Sequence, residues 1–255
     1  MNEMSFSYKK YYKEIAPIYD RLRLDRETEI SYTSSIICRF ISQNCLILDI
    51  GCGTGRYASY LEELGYNVIG VDISQEQLNY VPKSIPTFCA SATNPPFDND
   101  FFSCCIIILV IQLLSSEERK KAFFEAYRVL KNNGIFIIKT CSHDDLRKRP
   151  FNDVFPSSLP INLKRYPDIP TIKNNLEEVG FEILDVIPTY TEQELKTSEL
   201  LYSIKNKHNT TLALLPNEEF ITGYRALVKK YEKNKNIRIP NRHTIIVSRK
   251  IVGEC

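Results

Sequence analysis

Leu46-Ile47-Leu48-Asp49-Ile50-Gly51-Cys52-Gly53-Thr54-Gly55 decides how this chain is read: a short, largely apolar run is broken by three glycines at alternate positions. The run is strand-sized, and the glycines allow a tight turn, so a strand feeding a turn is expected. Tyr57, Tyr60, Leu61 and Leu64 follow at i, i+3, i+4 and i+7, one face of a helix that Gly65 stops. Asn67-Val68-Ile69-Gly70-Val71 is a second strand, ending at Asp72. Strand, turn, helix and strand make a βαβ unit with a right-handed crossover.

The alternation continues on both sides of a long apolar strand, Cys104 to Ile111, which suits a central position covered on both faces. Thr87 to Ala90 is a short third strand. Ser74 with Gln77, and Ser115 with Glu118, have the spacing of capping boxes at two helix starts. The first of these helices ends at Pro82 and the second at Asn133-Gly134; the second carries Phe123, Ala126, Tyr127 and Leu130 on one face. Ile135 to Thr140 is a fifth strand, Pro170 and Gly180 bracket a further helix, and Phe181–Ile187 and Thr244–Val247 are the sixth and seventh strands. The expected fold is α/β: a doubly wound, Rossmann-like, seven-stranded and mostly parallel sheet in a single domain of residues 1–255. Residues 46–140, 168–188 and 241–250 form its core. Residues 1–45, 141–167 and 189–240 fall outside the alternation and are expected to build a helical cap on the substrate side, with helices near 192–205 and 217–231.

Composition narrows the partners. A chain of 255 residues that is 43% hydrophobic and 25% charged, with net charge +2, is neither disordered nor a histone-like nucleic-acid binder. Its one basic concentration lies between Arg225 and Arg242, seven basic residues against Glu232 alone. No apolar run has transmembrane length and Met1 to Lys13 has no leader-like apolar core, so a cytoplasmic protein with no membrane partner is expected. The eight cysteines include no Cys-x-x-Cys pair and only three histidines could assist them, so no metal site is expected and the thiols read as reduced.

The glycine loop is not a dinucleotide fingerprint. G-x-G-x-x-G would put its third glycine at 56, where Arg56 stands; here the third glycine is Gly55. Asp72, at the end of the second strand, is placed for the hydroxyls of a ribose. With loop, acid and element order together, the sequence resembles the class I S-adenosylmethionine-dependent methyltransferases of small-molecule type. Leu48 to Gly55 is similar to that family's first motif and Val71-Asp72-Ile73-Ser74 to its ribose-binding step. The resemblance implies S-adenosyl-L-methionine as cofactor and S-adenosyl-L-homocysteine as product. It implies that Gly51, Gly53 and Gly55, with Cys52, pass the methionyl end, that Asp49 helps hold the amino group, and that Asp72 holds the ribose with Ile73 beside it. Ser91, followed by Ala92, stands where the family usually has an acid for the adenine amine. Leu109 to Gln112 is the bend where cofactor and acceptor meet, and Tyr19 lies in an N-terminal segment that folds over the cofactor in similar enzymes.

For the acceptor, the fifth strand ends in Lys139-Thr140-Cys141-Ser142-His143, which puts His143 forward as a catalytic base, with helix capping as the alternative. Arg147, Lys148, Arg149 and Lys164-Arg165-Tyr166 read either as a solvated loop or as contacts to an anionic substrate. Asn94-Pro95-Pro96-Phe97 is similar to an amine-gripping methyltransferase signature, but it precedes the fourth strand instead of following it. The expected function is methyl transfer to an O or N atom of a small molecule, by a monomer or homodimer with no nucleic-acid partner. The alternatives are an RNA methyltransferase using the 225–242 surface, and a non-catalytic cofactor-binding subunit.

Overall fold

The computed structural model describes residues 7–23 and 27–251. Residues 1–6, the start of the stretch read for a leader, and Cys255 lie outside them. The strands are β1 (Leu46–Ile50), β2 (Asn67–Asp72), β3 (Thr87–Cys89), β4 (Phe102–Ile108), β5 (Leu130–Thr140), β6 (Phe181–Lys196) and β7 (Asn236–Lys250). They form one sheet in the order β3-β2-β1-β4-β5-β7-β6. The first five are parallel, and β7 runs antiparallel to both β5 and β6.

Central strands alternate their side chains between two cores, as a period of two requires. Leu48, Ile50, Cys105, Ile107, Phe136 and Ile138 face one core with Phe123, Ala126, Ile172 and Leu176. Those four come from the helices Ser116–Val129 and Ile169–Val179. On the other face Ile47, Cys104, Ile106 and Ile137 meet Ile36, Ile37, Ala58 and Leu61, from the helices Glu27–Cys38 and Arg56–Glu63. Both capped helices start where their serines stand. Ser115 forms a full capping box with Glu118, whereas Ser74 receives Gln77 N–H but Gln77 turns its side chain to Tyr12.

The last two strands differ from expectation. β6 was expected to end at Ile187 and a helix to open near 192; instead β6 runs to Lys196 and the helix is Thr197–Lys205. Thr189, Gln193 and Leu195 are buried while Tyr190, Glu192 and Glu194 are exposed, a strand period with polar residues on both faces. β5 stops pairing with β7 at Thr140↔Thr244, but β6 and β7 stay paired from Thr189↔His243 to Lys196↔Asn236. The result is a two-stranded arm standing beyond the carboxyl edge of the parallel strands. The arm carries a third core, Phe155, Leu195, Leu200, Ile204, Leu212, Leu227 and Ile239. That core ties the insertion after β5 to the one between β6 and β7. The N-terminal segment, comprising the helix Tyr8–Ile15 and the short turn of helix Tyr19–Leu22, packs against this cap through Tyr11, Ile15 and Leu22 on Tyr202 and Ala213. No helix among the described residues is long and apolar enough to cross a membrane.

Candidate active site

A cavity of about 580 Å³ lies between the carboxyl ends of the parallel strands and the cap, the place where open α/β sheets hold ligands. Its floor is the loop after β1. Gly51 and Cys52 donate to Val71 O at 2.7 and 3.0 Å, and Gly53 N–H donates to Asp72 Oδ2 at 2.9 Å. Gly51 has φ +77°, and a Cβ there would fall 2.5 Å from Val110 Cγ2; Gly55, at φ +82°, would meet Val81 at 2.9 Å. Both positions therefore need glycine twice over, for dihedral and for space. The loop is also held from above. Thr54 Oγ1 donates to Asp20 Oδ1 at 2.6 Å and Gln77 Nε2 to Tyr12 O at 3.1 Å, so the N-terminal segment lies over the cavity with Tyr12 and Tyr19 in its wall.

The acids at this end carry acceptor capacity that the protein leaves unused. Asp49 is buried and has no hydrogen-bond donor among the described residues; burial, with the Asp72 charge adding to it, pushes its carboxyl up to about 7. Burial also raises Asp72, against the opposing N–H groups of Ser74 and Gly53. Gln77 Oε1 and Gln112 Oε1 are buried without partners among the described residues. Buried acceptors of this kind are seldom left unpaired unless a ligand supplies the donor. Leu109, directly after β4, has φ +55°, a left-handed conformation that a bulky side chain rarely adopts; Gln112 Nε2 donates to its carbonyl. Ile73, Ser91 and Ala92 complete this side. Ser91 Oγ lies 2.9 Å from Thr93 Oγ1 and also accepts Thr93 N–H.

The cap end is built around a buried charge cluster. Lys139, at the end of β5, donates to Glu29, to Thr33 Oγ1 at 2.8 Å and to Tyr57 Oη at 2.9 Å. Thr191 from β6 donates to the other Glu29 oxygen, 2.5 Å away. Burial alone would raise the Glu29 carboxyl; the adjacent His243 ring and the Lys139 charge outweigh it and hold it down to about 2. His243 lines the cavity with its Nδ1 buried 3.3 Å from Glu29 Oε1, off the line of a good hydrogen bond. Nε2 is therefore the nitrogen left for the cavity, and it has no partner among the described residues. Burial, with Lys139 adding to it, lowers the His243 pKa, so the ring is neutral near pH 7.

His143 goes elsewhere. Its Nε2 lies 2.9 Å from Tyr166 O, and it does not line the cavity. Ser142 and Asp145 form a capping box that starts a short helix at His143, and this cap turns the imidazole away from the β5 end. The other residues expected from the sequence, Tyr19, Asp49, Gly51, Cys52, Gly53, Asp72, Ile73, Ser91, Ala92, Leu109 and Gln112, all line the cavity. Gly55 does not; it caps the following helix. His243, Glu29 and Tyr12 had no motif to announce them. Of the basic run, Arg242 lines the cavity, whereas Arg225, Lys229, Lys230, Lys233, Lys235 and Arg238 do not. Among the described residues no group of His, Cys, Asp and Glu is arranged to hold a metal.

Residues 48–138 match the family model of the methyltransferase domain. No curated protein matches the sequence. Among solved structures, the chain is similar to one from Anabaena variabilis described as a methyltransferase of an antibiotic biosynthesis pathway, with 21% identity and TM-score 0.70 over 86% of this chain and 96% of that one. It is also similar to the [4+2]-cyclase SpnF, with 20% identity and TM-score 0.63 over 96% of each chain. A third is the phosphoethanolamine N-methyltransferase 2 of Haemonchus contortus in complex with S-adenosyl-L-methionine, with 17% identity and TM-score 0.60 over 99% of this chain and 62% of that one. At such identities these likenesses establish the shared fold. The matched segment spans the glycine loop, Asp72 and the bend at Leu109, and with it this chain carries the domain of a class I S-adenosylmethionine-dependent methyltransferase.

Proposed function

We propose that the chain methylates an oxygen or nitrogen atom of a small molecule held wholly inside the cavity. The observation that carries this reading is that one continuous, partly covered space joins the glycine loop to the cap, bordered by the chain's own N-terminal helix and insertions. The donor-poor loop end suits S-adenosylmethionine. Asp49 and the Gly51–Gly53 backbone would hold its amino-acid end, Asp72 its ribose, and Ile73, Ser91 and Ala92 its adenine. When bound, it supplies a methyl group on a positively charged sulfur.

The remaining work belongs to protein side chains. Leu109 and Gln112 shape the junction between donor and acceptor. The roof excludes water and fixes the approach, and such positioning contributes roughly 7–11 kcal/mol in favourable cases. His243 replaces His143 as the base. With its proton on Nδ1 toward Glu29, Nε2 keeps a lone pair for the acceptor. The acceptor's lone pair takes the methyl carbon, the pair of the broken carbon–sulfur bond stays on sulfur, and the acceptor's proton passes to Nε2. Glu29 then faces the imidazolium.

An RNA acceptor is disfavoured because the basic helix face at 225–235 stands apart from the cavity. A cytoplasmic location accords with the free thiols of the seven described cysteines. The similarity to a [4+2]-cyclase warns that this fold does not by itself fix the reaction. Calorimetry with S-adenosylmethionine and S-adenosylhomocysteine, followed by labelling of a small-molecule extract with isotopic methyl donor, separates the readings. Binding plus a labelled small molecule is expected. Binding with no labelled product would favour a non-catalytic role, and no binding, or unchanged binding in Asp72→Ala, would reject the framework.

A further inference from the structure

Arg149 lines the cavity at the cap end, half-buried, and has no carboxylate within ion-pair distance among the described residues. Its contacts are of another kind. The guanidinium donates to Cys141 Sγ at 3.3 Å and lies 5.5 Å from the centroid of the Tyr166 ring. A thiol and an aromatic face orient a guanidinium without neutralising it, and a guanidinium stays charged at any physiological pH. Asp145, the acid of this wall nearest in sequence, is committed elsewhere: its Oδ2 accepts from Ser142 N–H, Ser142 Oγ and Thr244 Oγ1. Glu29 is likewise taken by Lys139 and Thr191. Two other basic side chains of the insertion have polar partners, Lys148 in Asp144 and Arg165 in Thr210. Arg242 also lines the cavity without an ion-pair partner among the described residues, but it is exposed and lies over the Tyr190 ring, whereas Arg149 is half-buried and stands close enough to His243 to depress that ring's pKa.

We propose that the cap end of the cavity is a binding site for the oxyanion of the acceptor, with Arg149 as its anchor, so that the molecule methylated is a small acid bearing a carboxylate or phosphate. The proposal rests on the small-molecule reading above and names the acceptor class within it. Arg149 offers a planar fork of N–H donors that matches either oxyanion bidentately. An acid seated there lies in the same wall as His243 and presents a second, proton-bearing group to Nε2. Tyr166 beside the guanidinium, with Tyr12 and Tyr19 also in the lining, supplies apolar faces for the body of the molecule.

The test uses the whole protein saturated with S-adenosylhomocysteine and four probes of one shape: benzoate, phenyl phosphate, benzamide and benzylamine. Calorimetry or ligand-observed NMR should show at least one of the two anions bound tenfold or more tighter than benzamide, with benzylamine excluded. The better anion identifies carboxylate or phosphate as the group recognised. Arg149→Met should abolish the preference and Arg149→Lys should keep part of it, while both bind S-adenosylhomocysteine like the parent protein. Equal affinity for benzamide, no binding of either anion, or an unchanged ranking in Arg149→Met would overturn the proposal. Loss of S-adenosylhomocysteine binding in the parent protein would instead reject the cofactor reading. In the extract experiment the labelled product should be retained on an anion exchanger; a neutral or cationic product would likewise overturn the proposal.

Discussion

At the loop end of the cavity the buried carboxylates have fewer donors than they can use; at the cap end the buried carboxylate has its donors supplied by the chain. Asp49 and Asp72 sit above their ordinary pKa, whereas Glu29 sits well below it. The loop end is electrostatically uncomfortable in the free protein and complete only with a ligand bringing N–H or O–H donors. The Glu29–Lys139 cluster at the cap end is complete without a ligand, and it uses that completeness to hold His243 in place. The acids of the loop end are built to bind, the acid of the cap end to position.

The largest effect should come from the satisfied cluster. Glu29→Gln leaves Lys139 charged and buried among Thr33, Tyr57 and His243, and breaking a buried pair from one side costs about 3–5 kcal/mol. Denaturant unfolding measures it. The wild-type contribution is present above pH 4.5 and is lost as pH falls through about 2, because the folded protein holds the Glu29 proton less tightly than the unfolded chain. A Glu29→Gln protein as stable as the parent would mean that the cap end is no better satisfied than the loop end.

Next in size is turnover. Once an acceptor is identified, His243→Gln should lower kcat by about 10²–10⁴-fold with S-adenosylhomocysteine binding unchanged, while His143→Gln should leave kcat close to wild type. Reversed outcomes would return the base to the β5 end.

This difference between the ends also explains what could be read from the chain. Asp49, Gly51, Gly53, Asp72 and Ser91 lie close together in sequence, each at or near the carboxyl end of a strand, so strand periodicity and glycine spacing locate them together. The cap end draws Glu29, Lys139, Arg149, Thr191 and His243 from five separate segments; Thr191 and Glu29 meet across 162 positions. No spacing rule links residues so far apart, and His243 could be placed only by knowing that β7 pairs with both β5 and β6. The long arm was obscured for a related reason. Polar residues occupy both of its faces beyond Ile187, so the alternation at 189–195 lacks the apolar contrast that marks a strand. Leu109 was located by its place after β4, but its left-handed backbone follows from tertiary packing that no local preference favours.

At the loop end the sign of the stability effect should invert. Asp49→Asn removes a buried charge that has no donor, so the free protein should gain about 1–3 kcal/mol in thermal or denaturant stability, measured above pH 7. The folded pKa is raised here, so the wild-type protein is best off below pH 3.8 at this site and loses that advantage as pH rises through about 7. The same substitution should weaken S-adenosylhomocysteine binding. In the parent protein, binding of the ligand's ammonium should weaken as pH drops below about 7, with proton release visible as a buffer-dependent calorimetric enthalpy.

The smallest effect expected is at Ser91, and it tests how much acid the loop end can hold. A carboxylate in Ser91→Asp could accept the adenine amine, and one such hydrogen bond contributes about 0.5–1.5 kcal/mol. Yet it would join a wall that already holds Asp49 and Asp72, both raised by burial and neither paired with a cation among the described residues. Repulsion in the free protein therefore opposes the gain, and it also displaces the Thr93 contacts of Ser91. The two terms nearly cancel. S-adenosylhomocysteine affinity should rise by no more than a few-fold, with a small loss of stability in the free protein. A large gain in affinity without that loss would show the loop end less crowded with unmet charge than Asp49 and Asp72 imply, and would weaken the contrast with the cap end at its source.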